Sequence, residues 1–268
     1  MTAGGEGRRG ATIAVLSTVV FFTVLALAIT HAPGWPEVRR TFFNWQEFKA
    51  STPEIARSFL LNVKIFSISE AFILVLALAL AVIRSLPGPV FFPMRVLGIA
   101  YADFFRGVPT ILVIALLGFG APALQLSWVP LSTTFWGIVA LVLVYTAYVS
   151  EVYRAGIESV HPSQDAAARS LGLSHWQSLR KVVLPQAVRR VIPPLLNDFI
   201  GLQKDTALVG FLGSVEAFKQ SQIDAAATFN YTPFVAAAVL FVALTIPLAR
   251  FTDWLVLRDR RRRQAVGV

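Results

Sequence analysis

The chain has 268 residues, of which 56% are hydrophobic and only 15% are charged. Soluble domains carry about 25% charged residues, so this composition excludes an ordinary soluble domain and indicates several membrane spans. The absence of cysteine excludes disulfides and thiolate metal sites, and the three histidines lie far apart and form no metal-binding motif. A net charge of +9 would suit nucleic acid, but the arginines cluster between apolar runs, which is typical of a topology signal.

The N-terminal region predicts a retained first span. Residues 1–10 form a short polar tail, and residues 11–30 are an uncharged run that is about 30 Å long as a helix, enough for the hydrocarbon core. A signal peptide is the competing interpretation, but the run is long for one and the HAPGWP that follows is a poor cleavage site. Residues 31–57 are then a polar connection that contains aromatic residues.

The next two predicted segments contain charged residues within apolar runs. The second span covers 59–83, and we expect its Lys64 and Glu70 to lie near an end or to face protein. The third, from about 94 to 121, contains Pro109, which should kink the helix or divide it. Asp103 and Arg106 are three residues apart on one helix face, which favours an ion pair between them near the inner surface over a gate element.

A polar interruption at residues 151–185 follows the fourth span at 135–150. We expect the preceding helix to continue to about residue 160 and to stop at His161-Pro162, since a residue before proline avoids helical geometry. Ser163 is then the predicted cap of a short alanine-rich helix that Gly172 ends. Ser174 should cap another helix, which runs to about Val183 and stops before Leu184-Pro185.

The remaining chain predicts two more spans and a basic end. The fifth covers 191–213 and carries Lys204 and Asp205, 214–232 is a polar connection, and the sixth covers 233–257 with a kink expected at Pro247. Residues 258–268 form a basic tail. If the N-terminus is cytoplasmic, the inner segments hold fifteen Arg and Lys residues and the outer segments hold five, so both termini and the 151–185 stretch are expected inside.

One motif in the polar interruption resembles a known family. Ala167, Ala168 and Gly172, followed by Val182, Leu184 and Pro185, keep the spacing of the signature EAA, three residues, Gly, nine residues, a β-branched residue, one residue, Leu-Pro. This signature belongs to the membrane subunits, or permeases, of ATP-binding-cassette (ABC) importers. Ala166 stands where the family has an acidic residue, and Asp165, one place earlier, is the candidate substitute. The resemblance implies that a short helix here docks on the ATPase through Asp165, Ala166, Ala167, Ala168, Gly172, Leu184 and Pro185.

Three further segments resemble the polar amino acid group of this family. FRGVP at 105–109 is similar to FRGTP, and TAYVSEVYRAGIESV at 146–160 is similar to AYxxExxRGGIxxV, with Ala155 replacing the first glycine. NDFIGLQKDTAL at 197–208 is similar to NxFIxLxKDTSL, with Ala207 in the serine place. The resemblance covers residues 59–257, so the first span and the 31–57 connection lie outside it.

The resemblance implies an all-α polytopic membrane protein of six transmembrane helices. One extra N-terminal span (within 11–57) precedes a five-helix permease core at 58–257, whose cytoplasmic coupling loop covers 154–190. The implied partners are an ABC ATPase dimer, a second permease copy or paralogue, a solute-binding protein, membrane lipid and a polar amino acid, with no nucleic acid. The sequence contains no GxxxxGK[ST] motif, so we expect this chain to bind no cofactor and to have no enzyme activity, with ATP used by the partner subunit. The resemblance implies that the chain lies in a bacterial cell membrane.

The candidate substrate path rests on the few charged and polar residues near the spans. These are Glu151, Gln203, Lys204, Asp205 and Thr206. A structural network between helices is the other interpretation of the same residues, and Lys204 and Asp205 cannot both face one axis, since neighbouring helical residues point about 100° apart. Glutamate or glutamine is the favoured solute and a basic amino acid the alternative. Two other classes are less well supported. An ion-gradient-driven secondary transporter leaves the coupling motif unexplained, and the sequence contains no HExxH or GxSxG motif that would indicate an intramembrane enzyme.

Overall fold

The computed structural model describes residues 3–86 and 88–265, and it gives the side chains of these residues except 3–9, 175 and 259–265. Every regular element in this part of the chain is helical. The α-helices are α1 (Ala3–Thr30), α2 (Trp35–Phe42), α3 (Trp45–Ser85), α4 (Phe92–Gly107), α5 (Thr110–Ala123), α6 (Thr133–Glu158), α7 (Pro162–Ser170), α8 (His175–Ser178), α9 (Leu184–Asp205), α10 (Ala217–Thr228) and α11 (Thr232–Ala265). A π-helical segment, Leu179–Val183, joins α8 to α9, and a 3₁₀ segment, Thr206–Leu212, follows α9.

Four stretches of the described helices are long and apolar enough to cross a membrane: 10–30, 35–85, 133–158 and 232–258. The pair α4 and α5 makes a fifth if it counts as one broken span. The predicted fifth span falls on α9 and the 3₁₀ segment, and α9 is not among these stretches because charged residues such as Asp198, Lys204 and Asp205 interrupt it. The all-α polytopic class is confirmed, and the count of six stays a prediction.

The division of the third segment is confirmed. The helix ends at Gly107 and restarts at Thr110, and the two halves differ in direction by 103°. Pro109 lies at the break with ψ 132°, as expected from a residue that has no backbone N–H to continue the helix.

Several helices run further than the predicted spans, because helical structure continues beyond the apolar runs. The first helix begins at Ala3, inside the predicted polar tail, and α11 continues from the sixth span through the basic residues to Ala265. The helix of the predicted second span, α3, begins at Trp45, ahead of the span start at Phe59, since Asn44 Oδ1 accepts hydrogen bonds from the backbone N–H of Gln46 (3.0 Å) and Glu47 (3.3 Å) and caps it.

The core is built around α6, which packs against α3, α4, α5 and α9. Leu141, Val144 and Ala147 are fully buried along it. At Gly137 the helices approach so closely that a Cβ atom would lie 2.4 Å from a methyl group of Val209. By contrast, none of the side chains of α1 between residues 10 and 30 is buried, so this helix presents its apolar surface to its surroundings.

Candidate coupling surface and polar networks

The short helix α7 is defined at both ends by specific hydrogen bonds. His161, rather than the predicted Ser163, is its cap, because His161 Nδ1 accepts from the backbone N–H of Ser163 at 3.2 Å and Pro162 already occupies the first helical position. Gly172 ends the helix as predicted, with φ at +89°. The N–H of Leu173 bonds to the carbonyl of Ala168 (3.2 Å) and that of Gly172 to Arg169 (2.9 Å), which is the Schellman arrangement.

The helix that follows Gly172 does not stop before Leu184-Pro185, where its end was predicted. Ser174 and Gln177 cap α8 reciprocally, with Ser174 Oγ accepting from the N–H of Gln177 (3.3 Å) and Gln177 Oε1 accepting from the N–H of Ser174 (3.0 Å). The helix then widens into the π-helical segment, and Leu184 N–H bonds to the carbonyl of Leu179, five residues back. This wider turn leads into α9, so Pro185 stands near the start of a helix that continues rather than after one that ends.

The predicted docking residues form an exposed surface with a buried underside. Ala166, Ala167 and Gly172 are exposed, Asp165 is half-buried, and Ala168 faces inward with 5% exposure. Two apolar side chains extend this surface, Leu171 at 86% and Trp176 at 68% exposure. Leu184 and Pro185 are exposed at the start of α9. Small residues with two exposed apolar side chains beside them form a surface that suits docking against another protein.

The coupling surface is carried by α6 and α9, which are held together below it. Gly156 lies against α9 so tightly that a Cβ atom would meet a methyl group of Val191 at 2.0 Å. Arg190 donates to the backbone carbonyl of Ser159. Ala155, which stands where the family has a glycine, is exposed, so its methyl group is accommodated without a clash.

A network of ion pairs lies where α3, α4 and α6 meet. The carboxylate oxygens of Glu151 lie 2.5 Å from a guanidinium nitrogen of Arg84, 2.7 Å from one of Arg154 and 3.7 Å from one of Arg106. Arg154 also forms an ion pair with Glu158 at 2.5 Å. The predicted pair between Asp103 and Arg106 is wrong among the described residues, because Arg106 turns towards Glu151 while Asp103 is exposed.

The other candidate path residues lie at the end of α9, and three of them bond to other helices. Asp205 Oδ2 accepts from the hydroxyl of Tyr145 on α6 at 3.0 Å. Gln203 is 4% exposed, and its Oε1 accepts from the hydroxyl of Thr245 on α11 at 2.9 Å. Fully buried Thr206 accepts from Nδ2 of Asn62 on α3 at 3.1 Å. Lys204 is exposed, so it points away from its neighbour Asp205 as predicted from helix geometry. None of these bonds reaches Glu151.

A cavity of about 470 Å³ lies between α3, α9 and α11 beside this group. Its walls are mostly apolar, with Phe66, Phe199 and Phe251 among them, and Gln203 and Asn62 add the polar atoms. Within the described part of the chain, Nε2 of Gln203 is buried without a hydrogen-bond partner.

Glu216 is the buried charged residue that sequence reasoning missed. Its side chain is fully buried and accepts from Nδ2 of Asn62 (2.9 Å) and from the backbone N–H groups of Phe218 and Lys219 (2.8 Å each), so it caps α10. Burial raises the pKa of this carboxyl group above its usual value, and the hydrogen bonds partly offset that rise. Its place just before an alanine-containing helix was the available signal, but nothing in the sequence connects it to Asn62, 154 residues earlier.

Comparison with known proteins identifies the family. The family model described as "Binding-protein-dependent transport system inner membrane component" matches residues 92–261. The probable glutamine ABC transporter permease protein GlnM of Bacillus subtilis (strain 168) is 35% identical over 185 residues, which cover 69% of this chain and 83% of the relative. The arginine transport system permease protein ArtQ of the same organism is 30% identical over 206 residues, which cover 75% and 92%.

A solved structure agrees with the family match. The crystal structure of an amino acid ABC transporter with histidines has a TM-score of 0.72 at 26% identity and covers 81% of this chain and 98% of that chain. The methionine ABC transporter MetNI, at 20% identity and a TM-score of 0.60, shares the fold. This chain therefore belongs to the inner membrane components of binding-protein-dependent transport systems, the permease subunits of ABC importers.

Proposed function

We propose that this chain is the permease subunit of an ATP-driven importer and forms the translocation path for a polar amino acid by alternating access. The observation that carries the proposal is the exposed surface of α7 and Gly172, mounted on α6 and α9, which continue into the helix core. The proposed partners are a pair of ABC ATPase subunits that use ATP, a second permease copy or paralogue, and a solute-binding protein. This chain would then need no cofactor of its own, and its termini and coupling loop would lie in the cytoplasm.

Closure of the ATPase pair would act on the pore through α6 and α9. The contact between Gly156 and Val191 leaves no space for these helices to move closer together, and the hydrogen bond from Arg190 to the carbonyl of Ser159 opposes their separation. A displacement of α7 is then passed to both helices as one body. Since α6 packs against α3, α4, α5 and α9, a tilt of α6 moves much of the core with it.

Glutamine or glutamate is the proposed solute, and a basic amino acid is the second candidate. The first is supported by the relative that is named for glutamine, and the second by the relative named for arginine. Competition in proteoliposomes that contain the co-purified complex would decide between them. Uptake of labelled glutamine that unlabelled arginine does not inhibit supports the first, and the reverse pattern supports the second.

Within the predicted path, the hydrogen bonds support different roles for different residues. Glu151, Asp205 and Thr206 are engaged by neighbouring helices, which supports the structural-network interpretation for them. Exposed Lys204 remains as the group that is available to a passing solute, whereas Gln203 is buried towards α11. A lysine attracts a carboxylate, so we propose that Lys204 borders the path.

The coupling role is tested by co-purification from detergent-solubilised membranes. Ala167→Asp places a charge on the exposed docking surface, and Arg169→Gln on the same helix changes the net charge by the same amount at a separate exposed position. We expect wild type and Arg169→Gln to retain an ATPase with a P-loop, identified by mass spectrometry, and Ala167→Asp to lose it while remaining monodisperse. If no ATPase accompanies the wild type, or if Ala167→Asp retains it fully, the coupling proposal is wrong.

A further inference from the structure

The short helix α2 is attached at both ends to the ends of two apolar helices. A tight turn joins it to α1, in which His31 N–H bonds to the carbonyl of Leu27 (3.0 Å) and Trp35 N–H bonds to that of Ala32 (2.9 Å). At its other end, Tyr231 N–H donates to the carbonyl of Thr41 (2.8 Å). Asn44 N–H donates to the hydroxyl of Thr232, the first residue of α11, at 3.1 Å.

These attachments fix the depth of α2 in the membrane. Residues 10–30 of α1 and 232–258 of α11 are both candidate spans, so the end of the first and the start of the second lie near the same membrane surface. A helix held at both ends at that level lies along the surface rather than across the bilayer. Its composition suits this place, since Trp35, Val38 and Phe42 share one side and Arg40 lies on the other, and none of its residues is buried.

A cleft of about 380 Å³ opens beside α2. Its lining residues are Trp35, Pro36, Arg39, Arg40, Phe43 and Asn44. Among the described ion pairs, neither arginine has a carboxylate partner. Guanidinium groups match phosphate geometry, and aromatic rings are enriched at the level of lipid headgroups.

We propose that this cleft binds the phosphate group of an anionic phospholipid in the outer leaflet. The two arginines supply the charge, while Trp35 and Phe43 contact the glycerol and the upper acyl chain. Exposed aromatic side chains continue the apolar rim, with Phe43 at 58% and Trp45 at 64% exposure, and the ammonium group of Lys49 lies 5.1 Å from the ring centre of Trp45. Aromatic side chains at the ends of two spans lie at the level of lipid headgroups, which favours a lipid over a soluble protein as the occupant. The assignment to the outer leaflet rests on the orientation in the proposed function.

The test measures retained lipid rather than transport, so it is independent of the proposed import activity. The full chain with its co-purified partners is equilibrated with vesicles of phosphatidylcholine and phosphatidylglycerol at 3:1, extracted in mild detergent, and examined by native mass spectrometry. The variants are Arg39→Gln, Arg40→Gln, the double Arg39→Lys/Arg40→Lys, and Arg57→Gln as a control at an exposed arginine of α3.

We expect Arg39→Gln and Arg40→Gln each to lower the ratio of retained phosphatidylglycerol to phosphatidylcholine about 5-fold, which corresponds to one surface charge near anionic lipid. Arg57→Gln should leave the ratio unchanged, and the double lysine variant should keep part of it, because the charge remains but the planar guanidinium groups that match phosphate are lost. If monodisperse Arg39→Gln and Arg40→Gln proteins retain the wild-type ratio, the proposal is overturned. Loss of a co-purified soluble protein with an unchanged lipid ratio would overturn it too and would assign the cleft to that protein.

Discussion

At the scale of single residues, the carboxylates of Glu151 and Glu158 are expected to differ in how much they contribute to the stability of the fold. Glu151 is mostly buried and holds Arg84, whose side chain is only 9% exposed. Glu158 binds the same Arg154 but is 60% exposed. Removing one partner of a buried pair leaves an uncompensated charge, whereas exposed pairs contribute little to stability.

We therefore expect Glu151→Gln to lower the free energy of unfolding by about 3 kcal/mol and Glu158→Gln by less than about 1 kcal/mol. The two variants remove the same charge from partners of the same arginine, so each serves as a control for the other. Thermal unfolding of the detergent-solubilised protein measures the difference. Equal losses would mean that the burial of Arg84 does not decide the cost.

Glu216 leads to a second prediction at this scale, on pH. Because the pKa of its carboxyl group is raised in the folded protein, the folded state binds its proton more readily than the unfolded state does. The cost of the buried charge is then present above the raised pKa and is relieved as pH falls through it. We expect the melting temperature of wild type, relative to that of Glu216→Gln, to be higher at pH 5 than at pH 7. A difference between the two proteins that does not change with pH would contradict this.

At the scale of elements, the joint between α6 and α9 allows a direct test of coupling. Gly156→Ala would place a Cβ atom 2.0 Å from a methyl group of Val191, so the helices must move apart. Overpacking of this kind costs about 1–3 kcal/mol. We expect this variant to lose stability and solute-stimulated ATPase activity of the assembled complex, and Val191→Ala in the same protein to restore both.

The matched control for this joint is the neighbouring Ala155→Val, which adds volume at an exposed position. It should leave both the melting temperature and the ATPase stimulation close to the wild-type values. If Gly156→Ala behaves in the same way as Ala155→Val, then α6 and α9 are not rigidly joined at this point.

The elements also show which features can be predicted from sequence. The break at Pro109 and the end of α7 at Gly172 follow from backbone chemistry within one or two residues, and both predictions are confirmed. The prediction of a stop at Leu184-Pro185 was wrong because the π-helical turn before it accommodates the proline ring, and residue preferences do not encode that turn. The bonds of Asn62 to Thr206 and Glu216 join residues more than 140 positions apart, so only the folded chain brings them together.

At the scale of the whole molecule, the family and the all-α polytopic class could be predicted from the sequence, but the interactions of the candidate path residues could not. The structure separates Glu151, in its ion network, from Gln203 and Thr206, which bond to α11 and α3. The predictions for assembly and for transport therefore differ from residue to residue.

We expect Asp205→Asn to weaken the contact between α9 and α6, since the hydroxyl of Tyr145 then donates to a neutral oxygen instead of a carboxylate. Assembly with partners and thermal stability should fall along with uptake. Lys204→Gln, at an exposed position, should leave assembly intact and lower uptake alone. Size-exclusion chromatography and proteoliposome uptake of the same preparations separate the two effects. Loss of uptake without loss of stability in Asp205→Asn would instead place this carboxylate on the path.

The length of α3 has a mechanical consequence. Its 41 residues form a helix of about 60 Å, roughly twice the thickness of the hydrocarbon core. One end adjoins Asn44 and the surface helix α2, and the other carries Arg84 and the ion network on Glu151. A tilt of about 5° about the midpoint would move the two ends by about 2–3 Å in opposite directions at this length. If the cleft beside α2 binds lipid as proposed, α3 would act as a lever that joins this lipid site to the ion network on Glu151.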